Sequence, residues 1–223
     1  MTDVTDASRF HVRVLDKSNV HKKIDDAMAK FDAETAEELE RPIKKGTLCA
    51  ALNASDKSWY RARVLGTVGK DSIEVYFIDY GNRETVRPDM DMRKLPAHLL
   101  AYEPQAIPAS FAFLKCPRKT QQMGAQAVKY VEKFGLNTIH DACVIEQVGQ
   151  ELSLILAEEG ETDWSSSLNA FILSEGLACL DKKQMDDAPE EVASFYEFEE
   201  EAKEKQIGLW KNGPVANLSD DEY

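Results

Sequence analysis

The chain has 223 residues, 43% of them hydrophobic, enough to bury a core in one sizeable domain or two small ones without disulfides or metals. Its 40 acidic and 27 basic residues give a formal charge of -13, so the average surface repels phosphate and attracts cationic peptides, although the same acidity also serves simply to keep a domain soluble. No run approaches the roughly 20 apolar residues of a membrane span, and MTDVTDASRF lacks the basic-then-apolar order of a secretory signal. A soluble, intracellular protein is expected, in the cytoplasm first and the nucleus second, with no membrane partner.

Arg9 to Leu15 alternates, with Phe10, Val12 and Val14 on one face and Arg9, His11 and Arg13 on the other, which predicts a short strand. From about Asn19 to Leu39 the period lengthens: Val20, Ile24, Met28, Phe31 and Thr35 predict an amphipathic helix that Pro42 stops. Several strand-like runs follow between Thr47 and Val86, punctuated at Asn53 to Ser58, Gly66 to Asp71 and Gly81-Asn82. So many short strands in so little chain suit a small closed barrel better than a sandwich. Pro88 and Pro96 bracket a connector.

Strand character returns over Ile107 to Lys115, and Thr120 to Phe134 reads as a helix through Met123, Ala127, Val128, Val131 and Phe134. Cys143 to Gln147 and Leu152 to Ala157 form a predicted hairpin across Gly149-Gln150. Ser165 to Glu175 is a helix ended by Gly176, and Pro189 opens a long acidic helix that Gly208 closes. A lone strand and helix at the N-terminus cannot bury their apolar faces, so the two flanks are expected to pack together across the all-β insertion.

Cys49, Cys116, Cys143 and Cys179 lie far apart, without the spacing of zinc or redox motifs, and are expected to be reduced and buried. His11, His21, His98 and His140 are equally scattered. No metal site and no cofactor is expected.

The chemistry concentrates in Trp59-Tyr60-Arg61-Ala62-Arg63-Val64 and Val75-Tyr76-Phe77-Ile78-Asp79-Tyr80-Gly81-Asn82. Aromatics at strand ends beside a Gly-Asn turn can converge at a barrel mouth and suit a methylated cation, because methylation keeps the guanidinium charge and removes hydrogen-bond donors. Any single strand aromatic is more often core. Tyr60, Phe77 and Tyr80 together are the candidate walls, with Asn82 as a polar contact. In a regular strand Phe77 and Tyr80 face opposite sides, so the cage requires the strand to end near Asp79.

These two segments resemble the Tudor signature, and the surrounding layout resembles the C-terminal region of Tudor staphylococcal nuclease proteins over nearly the whole chain. The entry strand Leu48-Cys49-Ala50, the strand from Ala106 to Phe113 and Glu204-Lys205-Gln206-Ile207-Gly208-Leu209-Trp210 carry the flanks of that resemblance. It implies an α+β, mainly β fold: a five-stranded Tudor barrel inserted into a staphylococcal-nuclease-like OB fold, joined by a long helix. The implied divisions are 1–43 (first nuclease-like part with linker helix), 44–97 (barrel), 98–215 (remaining nuclease-like part) and 216–223 (disordered tail).

By the same resemblance, Tyr60, Phe77, Tyr80 and Asn82 would receive symmetric dimethylarginine from Piwi/Argonaute-type or spliceosomal Arg/Gly tails, with RNA a partner of the longer protein. The family usually adds an aromatic a few residues after the entry-strand Cys. Here the chain reads Ala51-Leu52-Asn53-Ala54, so Leu52 and Asn53 stand where the fourth wall is expected. A missing wall costs about 1 kcal/mol, or about five-fold in Kd. Weaker binding, compensation by Leu52 or another residue, and loss of binding are the three outcomes; weakened binding is the one expected.

Metal-assisted phosphodiester hydrolysis needs carboxylates and arginines around the reacting phosphate. The Asp-Gly-Asp-like strand and Arg-rich loop that supply them in staphylococcal nucleases are missing, so no catalysis is expected. Two other readings stay open: an OB-type nucleic-acid binder and a protein scaffold whose cage has lost its ligand.

Overall fold

A computed structural model describes residues 1–213 and Leu218. Strands β1 (Asp3–Asp6) and β2 (Arg9–Val12) open the chain, followed by helix α1 (Val20–Ala29). Next come β3 (Leu48–Leu52), β4 (Trp59–Val68), β5 (Ser72–Phe77), β6 (Arg83–Val86), the single-turn α2 (Pro88–Asp91), β7 (Met92–Lys94) and α3 (Ala97–Leu100). The remainder runs β8 (Ile107–Phe111), β9 (Leu114–Lys115), α4 (Gly124–Gly135), β10 (His140–Val148), β11 (Glu151–Glu158), α5 (Leu168–Ser174), β12 (Cys179–Leu180), α6 (Lys182–Met185) and α7 (Ser194–Glu204). Two compact units result, one of Val12–Ala106 and one of Met1–His11 with the chain from Ile107 onward. Helix α1 clusters with the strands that follow it, whereas the sequence reading grouped residues 1–43 with the nuclease-like part.

In the Val12–Ala106 unit, five antiparallel strands pair in the order β6-β5-β4-β3-β7. Alternation turns Cys49 and Ala51, Ala62 and Val64, and Ile73, Val75 and Phe77 to one shared core. Val86 and Met92, from the two edge strands, enter that same core, as happens when a sheet curls into a barrel. A register shift between Val64 and Gly66 lets the long β4 bend around it. On the outer face, Ala50 packs with Ile24 and Met28 of α1 and with Leu95 and Leu99.

Two expectations change here. The predicted helix from Asn19 to Leu39 is only Val20–Ala29, so the long joining helix is short. The Asp32 carboxylate takes the Glu34 N–H at 3.0 Å and the Thr35 hydroxyl at 3.0 Å, a local alternative to helical bonding that ends the element. Phe31 still packs on the outer cluster. The connector between Pro88 and Pro96 contains β7, the strand that pairs Cys49 with Lys94 and Ala51 with Met92.

In the other unit the sheet order is β1-β2-β8-β11-β10, so β2 lies beside β8 although the whole barrel unit separates them in sequence. This is the expected packing of the flanks, joined at the core by Phe10 and Phe111, whose centroids are 4.6 Å apart. Strand β1, unmarked in the sequence reading, pairs with β2. The hairpin β10–β11 turns at Gly149, where φ is +61°. Asn169 ties this unit together: Oδ1 accepts from Leu156 N–H, and Nδ2 donates to the carbonyls of Ala112 and Leu154.

Helix α4 begins at Gly124 rather than near Thr120, because a turn over Arg118–Gln121 precedes it. A Cβ at Gly124 would meet the Arg118 carbonyl oxygen at 1.8 Å. Helix α5 begins at Leu168, where the Ser167 side chain accepts from Ala170 N–H. All four cysteines are free thiols; Cys49 and Cys116 are buried, while Cys143 and Cys179 are only half-buried. The tail expected at 216–223 lies outside the described residues, Leu218 excepted.

Candidate functional site

Strand β5 ends at Phe77, and a tight turn reverses the chain. Phe77 N–H donates to Asn82 O at 3.0 Å, Gly81 N–H donates to Phe77 O at 2.8 Å, and Gly81 has φ +102°, a conformation that glycine adopts without a Cβ penalty. This resolves the conflict between Phe77 and Tyr80. With the strand finished, Tyr80 swings back to the side occupied by Tyr60, and the two ring centroids lie 4.7 Å apart at 63°. Tyr60 also meets Phe77 edge-on at 5.9 Å and 82°.

The turn is anchored from below by a buried ion pair. Arg61 Nε donates to Asp79 Oδ2 at 2.8 Å and Nη2 to Oδ1 at 2.5 Å. Nη1 donates to the carbonyls of Leu99 and Tyr102, and Nη2 also to that of Glu103, so each guanidinium N–H has an acceptor. Asp79 in turn accepts from Gln105 N–H at 3.2 Å. An arginine at 1% exposure is tolerated because nothing on it is left unpaired. Asp79 directly precedes Tyr80, so this network sets where the second ring begins.

Tyr60 and Tyr80 are half-buried, and their hydroxyls are held. Tyr60 OH donates to Asp56 Oδ2 at 2.6 Å, and Tyr80 OH donates to Asp25 Oδ1 at 3.0 Å. Burial first, then the Asp56 carboxylate, pushes the Tyr60 phenol up to about 12 from its ordinary 10. Tyr80 is raised as well, by burial and then by the Asp25 charge, with Arg13 opposing. Arg13 Nη2 contacts both Asp25 oxygens at 3.2 and 3.0 Å, and its Cζ stands 5.0 Å from the Tyr80 centroid.

The remaining predicted residues divide. Phe77 is at 0% exposure inside the barrel core, behind Tyr60 rather than at an open face. Asn82 is half-buried, and its carboxamide makes no hydrogen bond to another described residue. Ala51 pairs with Tyr60 and Leu52 with Trp59, so alternation directs Leu52 to the outer side with Trp59 and puts the next position, Asn53, on the Tyr60 side. Asn53 closes the loop: Oδ1 accepts from Ser55 N–H and its N–H donates to Ser58 O.

Sequence reasoning missed Asp25, Asp56, Arg13 and the Arg61–Asp79 pair. Asp79 sits inside the recognised turn, so its role as an anchor had a local signal, and Asp56 is four residues from Tyr60. Asp25 and Arg13 had none, because they reach Tyr80 across 55 and 67 positions of chain. Among the described residues, no group of three or more His, Cys, Asp or Glu side chains is placed to hold a metal ion.

A five-stranded barrel inserted between strands of a second sheet, with two tyrosines meeting beside an Asp-Tyr-Gly-Asn turn, defines an extended Tudor module. The Tudor domain model matches residues 1–112, half of the chain, and the Staphylococcal nuclease homologue model matches residues 108–212. The chain belongs to the Tudor domain family. Over its full length it is 27% identical to Ribonuclease TUDOR 2 of Arabidopsis thaliana and covers 24% of that protein. The chain thus spans about a quarter of the length of such curated relatives.

Among solved structures, the extended Tudor domain of Drosophila melanogaster Tudor-SN superposes with a TM-score of 0.75 at 21% identity, covering 94% of this chain and 95% of that one. The extended Tudor domain TD3 of mouse TDRD1, in complex with a MILI peptide containing dimethylarginine, gives 0.67 at 19% identity, covering 80% and 90%. Both likenesses show the extended Tudor fold.

Proposed function

We propose that the chain is a non-catalytic binding module that takes the side chain of a methylated arginine, foremost symmetric dimethylarginine in an Arg/Gly-rich tail, against the rings of Tyr60 and Tyr80. The observation that carries this reading is the pair of half-buried rings at 4.7 Å and 63°, with both hydroxyls fastened so that the rings keep their orientation without a ligand. Pre-set walls lower the ordering cost of binding. The Asn82 side chain stands in the same turn, and its carbonyl oxygen can accept one of the N–H groups that a dimethylated guanidinium retains. The overall charge of -13 favours a basic tail. The dimethylarginine peptide held by the mouse TDRD1 domain supports the same ligand class. Piwi/Argonaute-type and spliceosomal tails in the cytoplasm are the partners this reading points to.

Two half-buried rings at about 0.5–2 kcal/mol each, plus one polar contact, make a weak site, with Kd on the order of 0.1 mM or weaker for a single methylated side chain. Titrating Arg/Gly peptides in symmetrically dimethylated and unmethylated forms, and an RNA oligomer, against one preparation tests this. Methyl-selective binding lost in Tyr60→Ala is the expected result. Equal affinity for both peptides, or salt-sensitive RNA binding alone, would overturn it in favour of a scaffold or a nucleic-acid binder.

A further inference from the structure

The two tyrosine walls are electrostatically unequal. Resting on the functional reading above, we propose that cation recognition is carried by Tyr60 together with Asp56, while Arg13 is a resident cation that weakens Tyr80 as a wall. Asp56 lies in the exposed loop after β3, and its two oxygens take the Tyr60 hydroxyl at 2.6 Å and the Ser58 N–H at 2.9 Å. No Lys or Arg ion pair to Asp56 occurs among the described residues. Its carboxylate therefore stands one hydrogen bond from the Tyr60 phenol without a close ion-pair partner among those residues. A carboxylate there enriches the phenol π system and attracts directly any cation that comes to rest on it.

Tyr80 stands in the opposite situation. Its hydroxyl also meets a carboxylate, Asp25, but that carboxylate is ion-paired with Arg13 at 3.0 Å. The Arg13 side chain is 8% exposed, and its Cζ lies 5.0 Å from the Tyr80 centroid, within cation–π range. Its Nε is buried with no hydrogen-bond partner among the described residues, so the guanidinium is held by Asp25 and the Tyr80 ring. The Tyr80 π system already serves an internal guanidinium, and a second cation on that ring meets like charge. The position on the Tyr60 side of the entry strand is Asn53 rather than an aromatic, and the same loop supplies Asp56, so charge replaces the missing ring.

The test uses the whole chain, with a symmetrically dimethylated Arg/Gly peptide and, separately, tetramethylammonium as a bare cation probe. Asp56→Asn should weaken the peptide about five-fold and flatten its salt dependence, Asp56→Glu should restore both, and Arg13→Gln should tighten binding by a similar factor. Asp56 is exposed, so its variants fold and decide the matter even if Arg13→Gln does not. Wild-type affinity in Asp56→Asn, or weaker binding in a folded Arg13→Gln, overturns the proposal.

If the wild-type chain ignores the peptide, the functional reading fails separately, and the inference is then decided by tetramethylammonium-induced NMR shifts. Larger changes at the Tyr60 ring than at Tyr80, reduced in Asp56→Asn, uphold it. Equal or larger changes at Tyr80 overturn it.

Discussion

Arg61 and Asp79 form a two-point ion pair at 1% and 2% side-chain exposure, at the base of the turn that delivers Tyr80. Neither charge touches solvent, so each depends wholly on the other. Removing one partner from such a pair strands the second in a low-dielectric site. Arg61→Met should therefore lower unfolding free energy by about 3–5 kcal/mol, read from urea denaturation. Arg61→Lys should rescue little of this, because an ammonium has three donors where five are used. Near-wild-type stability in Arg61→Met would mean that the turn holds without the pair.

Asn53 is the position that the strand register places on the Tyr60 side of the sheet. Asn53→Phe supplies an aromatic where none now stands. Binding of a methylarginine peptide should tighten about five-fold, equivalent to about 1 kcal/mol, in a fluorescence or calorimetric titration. The Asn53–Ser55 hydrogen bond is lost in the exchange, so a small fall in melting temperature should accompany the gain. Leu52→Phe, directed to the Trp59 side, should leave affinity where it is. A gain from Leu52→Phe alone would show that the loop presents its residues in the opposite sense.

The phenols make stability depend on alkaline pH. Burial and the Asp56 carboxylate push the Tyr60 phenol up to about 12 from an ordinary 10, and Tyr80 is also raised. A raised value means that the folded state keeps a proton the unfolded state has lost, so stability falls as pH rises between the two values. Their contribution is complete below pH 10 and is lost towards 12 and above. Urea midpoints measured across this range should decline, and Tyr60→Phe should reduce the slope by removing one titrating group. An unchanged slope would mean that burial and the Asp56 carboxylate do not hold the Tyr60 proton in the folded chain.

The four thiols should react in an order set by exposure. Cys49, buried in the barrel core, is raised by that burial to about 12, and Cys116 is raised further for the same reason. Cys179 is raised to about 11, first by burial and then by Glu199. Thiol labelling of the native chain near pH 8 should modify Cys143 first, Cys179 slowly, and Cys49 and Cys116 only on unfolding. Early labelling of Cys49 would mean that the barrel opens locally.

Much of the molecule was legible as pattern. Alternation and turn residues marked β3 to β6 and the β10–β11 hairpin, because period-two burial and glycine punctuation are local consequences of strand geometry. Helix α1 was overextended because the apolar period continued through Phe31 and Thr35, while the Asp32 side chain competed for the backbone. Strand β7, three residues between two prolines, carried too little pattern to be seen at all.

For the site, the sequence by itself determined the residue types: two tyrosines, a Gly-Asn turn, and an entry strand without its aromatic. Only the tertiary structure decided which of them share a surface. It drew Phe77 into the core, turned Leu52 away, and brought Asp25 and Arg13 to Tyr80 from distant positions. The reason is physical: periodicity records which way a side chain points within its own element, whereas charge pairing between elements depends on packing, and packing leaves no periodic mark in the chain.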